Sequence, residues 1–370
     1  MAHFLNDTIA KRYKGHVAIV RIDLNIDKDS VEGLYRLRSA VPSIKLLRKH
    51  DVRVVLVSHR GRPNGVERQL TLKPFAELIK KEIGESIKFL PTFDFEELRE
   101  EISSSKDSVF LLENIRFLRG EEENDVRLAK QLATLGEVFI NEAFAVSHRA
   151  HASVHALAKL LPSFGGLQLE KEVAALSGAV KRAEHPLVFI LGGAKIADKL
   201  PLFKHFWKEA DIFLAGGGPG NTLLAAQGIP MHDSLYDKEL VPHVKKYAFA
   251  AKVLTPSDAR CDGSKLLDIG DGTAEEYAEI IHAAKTIIWN GPMGLYEKKA
   301  YAKGTAALWN AILNNKKARV IVGGGETIAS LSTVKKNPTS MPKNVFLSTG
   351  GGAMLEYLAG EKLPGIAVLK

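Results

Sequence analysis

Four apolar runs in the first half of this sequence each give way to side chains that can hold an anion. Residues 17–20 lead into Arg21, Asp23 and Asn25, and residues 52–57 into Ser58, His59, Arg60, Gly61 and Arg62. Residues 109–112 lead into Asn114 and Arg116, and residues 138–140 into a segment carrying His148, Arg149 and His151. A guanidinium is planar, always charged, and presents paired N–H donors that match two oxygens of a phosphate or carboxylate. Arg21, His59, Arg62, Arg116 and Arg149, standing at corresponding positions, therefore read as a site for a small polyanion.

In the second half the same kind of run ends in glycine. Residues 187–191 lead into Gly192, Gly193, Lys195 and Lys199, and residues 211–215 into Gly216, Gly217 and Gly218. Residues 286–289 lead into Asn290, Gly291 and Gly294, residues 319–322 into Gly323, Gly324, Gly325, Glu326 and Thr327, and residues 345–348 into Gly350, Gly351 and Gly352. None of these is a G-x-x-x-x-G-K-[ST] loop or a G-x-G-x-x-G fingerprint. Repeated bare turns instead suggest a nucleotide lying against backbone. If the residues after Gly193 are helical, Lys195 and Lys199 fall at i and i+4 on one face, beside helix-start N–H groups that favour phosphate.

The elements that would position these groups follow from the pattern. Short apolar runs of this kind are strands buried on both faces, and a parallel sheet puts all their C-terminal ends on one edge, where such sheets bind ligands. Arg36 and Arg38 begin a helix whose core face is Val41, Ile44 and Leu47, and Thr71 is expected to cap a helix closed by Gly84. Residues 160–166 are expected to break structure, residues 169–182 to form one helix between the two halves, and the apolar tail 362–369 to pack somewhere. His148, His151 and His155, at i, i+3 and i+7, could line one helix face. With no H-E-x-x-H or C-x-x-C context and Arg149 among them, they are expected to be packed or cationic rather than zinc ligands.

The whole composition narrows the class. At 370 residues the chain has room for two cores, and 45% hydrophobic with 25% charged residues is ordinary for a globular protein. The net charge of +8 suits an anionic partner. The basic residues form no tail or stripe and no RNP, zinc-finger or basic-zipper pattern is present, so phosphorylated metabolites are expected rather than a specific nucleic acid. The single cysteine, Cys261, excludes an internal disulfide and fits a reducing cytosol. No signal-peptide core opens the chain and no apolar run reaches membrane-spanning length, so a cytoplasmic protein without membrane contact is expected.

Taken in order, these motifs resemble the phosphoglycerate kinase family over nearly the whole chain. The resemblance rests on Arg21 to Asn25, Ser58 to Pro63, Leu112 to Phe117, His148 to Ser153, Gly192 to Lys195 with Asp198 and Lys199, Trp289 to Gly294 with Glu297, Gly323 to Gly325, and Ser348 to Gly352. It implies an α/β fold of two Rossmann-like three-layer domains with parallel sheets, joined by a helical hinge. Residues 1–166 would hold the glycerate, 167–184 form the hinge, 185–355 hold the nucleotide, and 356–370 return to the N-terminal domain. The implied reaction is reversible phosphoryl transfer between 1,3-bisphosphoglycerate and ADP, giving 3-phosphoglycerate and Mg-ATP, by a monomeric enzyme.

By the same resemblance Asp23, Asn25, Arg36, His59, Arg62, Arg116 and Arg149 would hold the glycerate, with Arg21, Arg60 and Gly61 from the same motifs. Lys199, Glu297, Gly324, Gly325, Glu326 and Thr327 would hold the nucleotide, with Gly216, Gly217 and Gly270 beside them. Lys195 and Asn290 would lie near its phosphates, and Gly350 and Gly351 would start a helix facing the transferred group. Arg36, Lys195, Lys199, Gly350 and Gly351 form the implied catalytic set, and Glu326 the contact to Mg2+ carried by the nucleotide. The chain departs from the family in having Glu326 where Asp is typical. It also has Arg60 for an apolar residue, Ala145 and Val146 for a Gly-Thr pair, Asp271 for a proline, Met354 for a small polar residue, and a shorter stretch from Lys252 to Gly270. Two rival readings are a kinase of another small acid, which would blur the arginine half, and a non-catalytic RNA-binding descendant.

Overall fold

Each half of the chain builds its own sheet from strands too apolar to leave either face in water. The computed structural model describes residues 2–369. Its contacts define two units, one of residues up to Val173 together with those from Lys362 onward, the other Ala174–Glu361. In the first unit, β1 (Val17–Arg21), β2 (Arg53–Val57), β3 (Lys88–Leu90), β4 (Val109–Leu112), β5 (Val138–Asn141) and β6 (Ser163–Gly165) form one sheet in the order β3-β4-β2-β1-β5-β6. All its pairings are parallel, with Ile19 opposite both Val55 and Phe139. The chain fills one side of β1 and then restarts on the other with β5, so the sheet switches direction between β1 and β5.

The second unit holds β7 (Leu187–Leu191), β8 (Ile212–Ala215), β9 (Val253–Leu254), an antiparallel hairpin of β10 (Ala259–Asp262) and β11 (Lys265–Ile269), then β12 (Thr286–Asn290), β13 (Arg319–Gly323) and β14 (Val345–Ser348). Its six-stranded sheet runs β14-β13-β12-β7-β8-β9, again all parallel. Here the direction switches between β7 and β12. Phe189, Phe203 and Phe213 stack with ring centroids 4.7–5.3 Å apart on one face of this sheet, and Trp289 packs on Trp309 at 4.6 Å.

Several elements differ from the sequence expectation. Residues 163–165, expected within a structural break, are β6, which pairs with β5 and takes a bridge from Phe4 at Gly165. Strands β3 and β9 and the β10–β11 hairpin are too short or too mixed in character to show a run. His148, His151 and His155 do not share a helix face: the helical turn is Ala152–Ala156, His151 precedes it and His148 lies in the turn before that. Among the described residues no cluster of three His, Cys, Asp or Glu could hold a metal, and no helix is long and apolar enough to cross a membrane. Thr71 accepts the N–H of Lys73 at 3.2 Å, and Gly84 closes that helix at φ 82°. The tail folds as Pro364–Ala367, where Gly365 donates to the Ser147 carbonyl at 2.8 Å and accepts from Asn141 Nδ2 at 2.9 Å.

The helix Leu167–Lys181 starts on a buried acid. The Glu142 carboxylate accepts from Ser43 Oγ at 2.6 Å and from the N–H groups of Gln168 and Leu169 at 3.1 and 3.3 Å, two of the donors a helix start leaves open. Gly166 has no Cβ because that carboxylate occupies the space. Burial pushes the Glu142 pKa up to about 7 from 4.5, against the pull of Ser43 and the backbone donors. The folded chain thus holds this proton more tightly than the unfolded chain. Its contribution is fully present below pH 4.5 and is lost as the pH rises through about 7. The stability of the wild type relative to Glu142→Gln is therefore expected to fall by about 3 kcal/mol across that window and to level off above it, as urea midpoints at stepped pH would show.

Candidate active site

In the first unit the strand ends gather cations in a wall with little room for charge. Arg21, the last residue of β1, is 0% exposed. It donates from Nε to Ser153 Oγ at 3.0 Å, from Nη1 to the Ile22 carbonyl, and from Nη2 to His59 Nδ1 at 2.9 Å. Ser153 Oγ passes the contact on to the fully buried Glu121 at 2.6 Å. Because Arg21 can only donate, His59 Nδ1 must accept, so the ring is neutral with its proton on Nε2. Burial, and then Arg21, Arg116, His151 and Arg149, hold the His59 pKa well below the ordinary histidine range. His151 is pushed down to about 4 by burial and by Arg116, Arg21 and Arg149. The structure thus brings Arg21, His59, Arg116 and Arg149 into one electrostatic neighbourhood, with Arg62 exposed and acting on Arg116.

Around this core Arg116 donates from Nη1 to the Gly61 carbonyl at 2.6 Å and faces Glu122 at 3.1 Å. Asn25 Oδ1 accepts the Gly61 N–H at 2.9 Å, and Asp23 Oδ1 accepts the N–H of Asn25 at 3.0 Å. Arg149 Nε donates to His148 Nε2 at 3.1 Å. Arg36, in the second turn of the helix Val31–Lys49, is held by Asp23 and by Glu32, the latter at 3.0 Å, and its buried Nε has no partner among the described residues. Arg60 points elsewhere: its guanidinium donates to the Gln69 carbonyl at 2.9 Å and lies 5.5 Å over the Phe75 ring.

In the second unit the glycine turns meet at the β7–β12 switch point. Gly192 donates to the Asn290 carbonyl at 2.9 Å and Gly193 to the Pro292 carbonyl at 2.8 Å. A Cβ on Gly192 or Gly291 would run into the other turn's backbone, and Gly291 has φ 94°, which only glycine adopts readily. Thr327 Oγ1 ties the next turn in, accepting from Gly291 N–H at 2.8 Å and donating to the Gly323 carbonyl at 2.9 Å, while Asn290 Nδ2 donates to that carbonyl at 3.0 Å.

A cavity of about 670 Å3 opens over these turns, walled by Gly193, Lys195, Lys199, Asn290, Gly324, Gly325, Glu326, Thr327 and Gly351 among others. A smaller one of about 190 Å3 shares Gly193, Ala194 and Glu326 with it and adds Gly217, Glu297 and an apolar wall of Leu235, Leu266, Leu267 and Leu295. Gly350 lies beneath the helix Gly351–Leu358 as its cap and donates to Ser348 Oγ at 3.1 Å. Gly216 and Gly270 line neither cavity; they admit Met293 and Asp258 to the backbone.

The two lysines do not share a helix face as expected. The chain runs irregularly from Gly192 to Ile196 and turns helical only at Ala197–Lys199, because Asp237 accepts the N–H groups of Ile196 and Ala197 at 2.6 and 3.3 Å. Lys195 is exposed, whereas Lys199 is only 7% exposed. Burial lowers the Lys199 pKa, while Asp198, Glu326 and Asp237 pull it back. A Cβ at Gly193 would lie 4.0 Å from both Lys199 Nζ and Glu326 Oε2, so the two charges face each other across a bare backbone. Sequence reasoning missed Glu121 and Ser153, which hold Arg21, and the leucines of the smaller cavity. Glu121 sits in a run of three glutamates that reads as solvated surface, and the leucines come from hairpin and loop segments without periodicity.

A doubly wound sheet with glycine turns at its switch point offers a site for a nucleotide, and a wall of buried arginines offers one for a small polyanion. Comparison with known proteins narrows this further. A family model described as phosphoglycerate kinase matches residues 7–361. Curated phosphoglycerate kinases of Dictyoglomus turgidum and Moorella thermoacetica are each 38% identical, over 96% and 95% of both chains. The solved phosphoglycerate kinases of Coxiella burnetii (31% identical, TM-score 0.78) and Pyrococcus horikoshii (28%, TM-score 0.84) each match over 96% of both chains. The chain belongs to the phosphoglycerate kinase family and is a glycolytic kinase. One consequence of the site is spectroscopic: nitrogen chemical shifts of His59 at pH 6 are expected to show a neutral ring protonated on Nε2, and a charged ring there would contradict the Arg21 contact.

Proposed function

We propose that the chain transfers a phosphoryl group between the acyl phosphate of 1,3-bisphosphoglycerate, held on the cationic wall of the first unit, and ADP, held over the glycine turns of the second. The observation that carries this reading is the division of labour: arginines and neutral histidines at one set of strand ends, bare backbone at the other. The P–O bond to the acyl oxygen breaks as the bond to the ADP oxygen forms, leaving the carboxylate of 3-phosphoglycerate. Both exchanging oxygens are ionised, so no proton moves and no general base is needed. Catalysis then consists of in-line positioning and cancellation of charge on the moving group. Lys199 and Arg36 supply that cancellation, with Lys195 and the helix start at Gly350 and Gly351 beside the phosphates. Arg36 must exchange Asp23 and Glu32 for the phosphate as it does so.

The helix Leu167–Lys181, which passes from one unit to the other, serves as the pivot on which the substrates meet. Closure shields the acyl phosphate from water. Asp23, Asn25, His59, Arg62, Arg116 and Arg149 hold the glycerate, and Glu297 with residues 324–327 hold the nucleotide. Glu326 is exposed in the wall common to both cavities, facing Lys199. Glu326, with no metal cluster around it among the described residues, suits Mg2+ that takes most of its ligands from phosphates and water. Such an ion, when bound, neutralises charge on the nucleotide oxygens. The enzyme works as a cytoplasmic monomer.

ATP-dependent formation of acyl phosphate from 3-phosphoglycerate, coupled to a reductase, tests the reading. Lys199→Ala and Arg36→Ala are each expected to lower kcat by about 100- to 1,000-fold; wild-type rates in either variant would overturn it. Glu326→Asp, shortening the acid by one methylene, is expected to shift the Mg2+ concentration for half-maximal rate while leaving the KM for 3-phosphoglycerate unchanged.

A further inference from the structure

The edge of the second sheet opposite its glycine turns carries a second concavity. Lys285 precedes β12, Arg319 begins β13, and Lys343 and Asn344 precede β14, so these residues mark the N-terminal ends of three parallel strands. A cavity of about 470 Å3 opens there between the strand starts and Ala174, Ala175 and Gly178 of the helix Leu167–Lys181. Five cations line it (Arg182, Lys285, Lys317, Arg319 and Lys343), and Glu184 is the single carboxylate of the lining. Among the described residues none of the five enters an ion pair.

Arg182 follows the C-terminal end of the helix, where a cation offsets the helix dipole; that accounts for one of the five charges. Arg319 Nη1 donates to the Gly178 carbonyl at 2.9 Å. A Cβ at Gly178 would lie 3.4 Å from Arg319 Nη1 and 3.7 Å from Arg182 Nη2, so two guanidinium groups converge over one bare Cα. Glycine inside a helix is less favourable than alanine, and here it leaves room beneath both forks. Crowded like charges in a concave wall raise the energy of the empty site and focus positive potential into it. Behind them the surface is apolar, with Ala318 and Val320 buried and Phe346 half-buried. Size, apolar backing and convergent donors are those of a small-ligand site.

We propose that this cavity binds a small organic anion bearing at least two phosphate charges, at a site separate from the nucleotide cavity. A concave pit with two converging forks suits a phosphate ester better than a nucleic-acid strand, which needs an extended basic stripe. The test uses inorganic tripolyphosphate as the probe at low salt, with amide hydrogen exchange as the local readout. Arg182, Arg319 and Ala174 are all exposed, so their substitution spares the core.

Tripolyphosphate is expected to slow exchange in segments 174–182, 317–321 and 342–346 of the wild type. The double variant Arg182→Gln with Arg319→Gln, and separately Ala174→Glu, which adds a carboxylate to the wall, are expected to weaken that effect at least about ten-fold. Unchanged exchange elsewhere in both variants reports that they fold. Absence of slowing in these segments, or equal affinity in the wild type and both variants, would overturn the proposal. So would protection by single-stranded RNA without protection by tripolyphosphate.

Discussion

At the switch point of the second sheet two turns pass each other with no side chain between them. Gly192 and Gly291 are in backbone contact, and two hydrogen bonds, from Asn290 to the Gly323 carbonyl and from Gly291 to Thr327 Oγ1, fix the third turn to the second. The cavity above exists because nothing projects into it from below. Its walls therefore present bare glycine turns, two lysines and three acids (Asp198, Glu326 and Glu356) rather than a packed layer of side chains. The large aromatic residues of this unit, Phe189, Phe203, Phe213, Trp289 and Trp309, are packed as core, leaving its strand ends free for ligand.

The first unit faces the opposite problem, too much charge in too little space. Arg21 is fully buried, and its stability rests on a relay through Ser153 to Glu121 and on a histidine that accepts rather than repels. Making His59 and His151 neutral lets Arg21, Arg116 and Arg149 stand close together, with Glu121 buried beside Arg21 and Glu122 facing Arg116. A site built this way pulls an anion inward, because the charges already held in place gain from the ligand what they lack from the protein. Arg36 stands apart from this group, already gripped by Asp23 and Glu32.

The parts of this account legible in the sequence were those that depend on local order. Strands such as β7 and β12 are unbroken apolar runs, and whatever follows them must lie on the ligand edge of a parallel sheet, so the arginine ends and the glycine ends could be read directly. Long-range contacts could not. Nothing near Arg60 says that its guanidinium will settle over Phe75, and nothing near Lys195 says that Asp237 will hold off the helix start and leave it exposed. Strand β6 was hidden because Pro162 just before it and Gly165 and Gly166 at its end look like a break, yet an edge strand tolerates them. The cations around Gly178 come from the end of the helix Leu167–Lys181 and from the starts of three strands, so only the fold makes them a cluster.

In the proposed reaction the phosphoryl group passes straight from one substrate to the other, with the protein supplying position and charge and no nucleophile of its own. The stereochemistry at phosphorus tests this most directly. With ATP made chiral at the γ-phosphate by oxygen isotopes, a single in-line transfer to 3-phosphoglycerate inverts the configuration, and inversion is expected. Retention would mean two successive displacements through a phosphorylated side chain, and would contradict it.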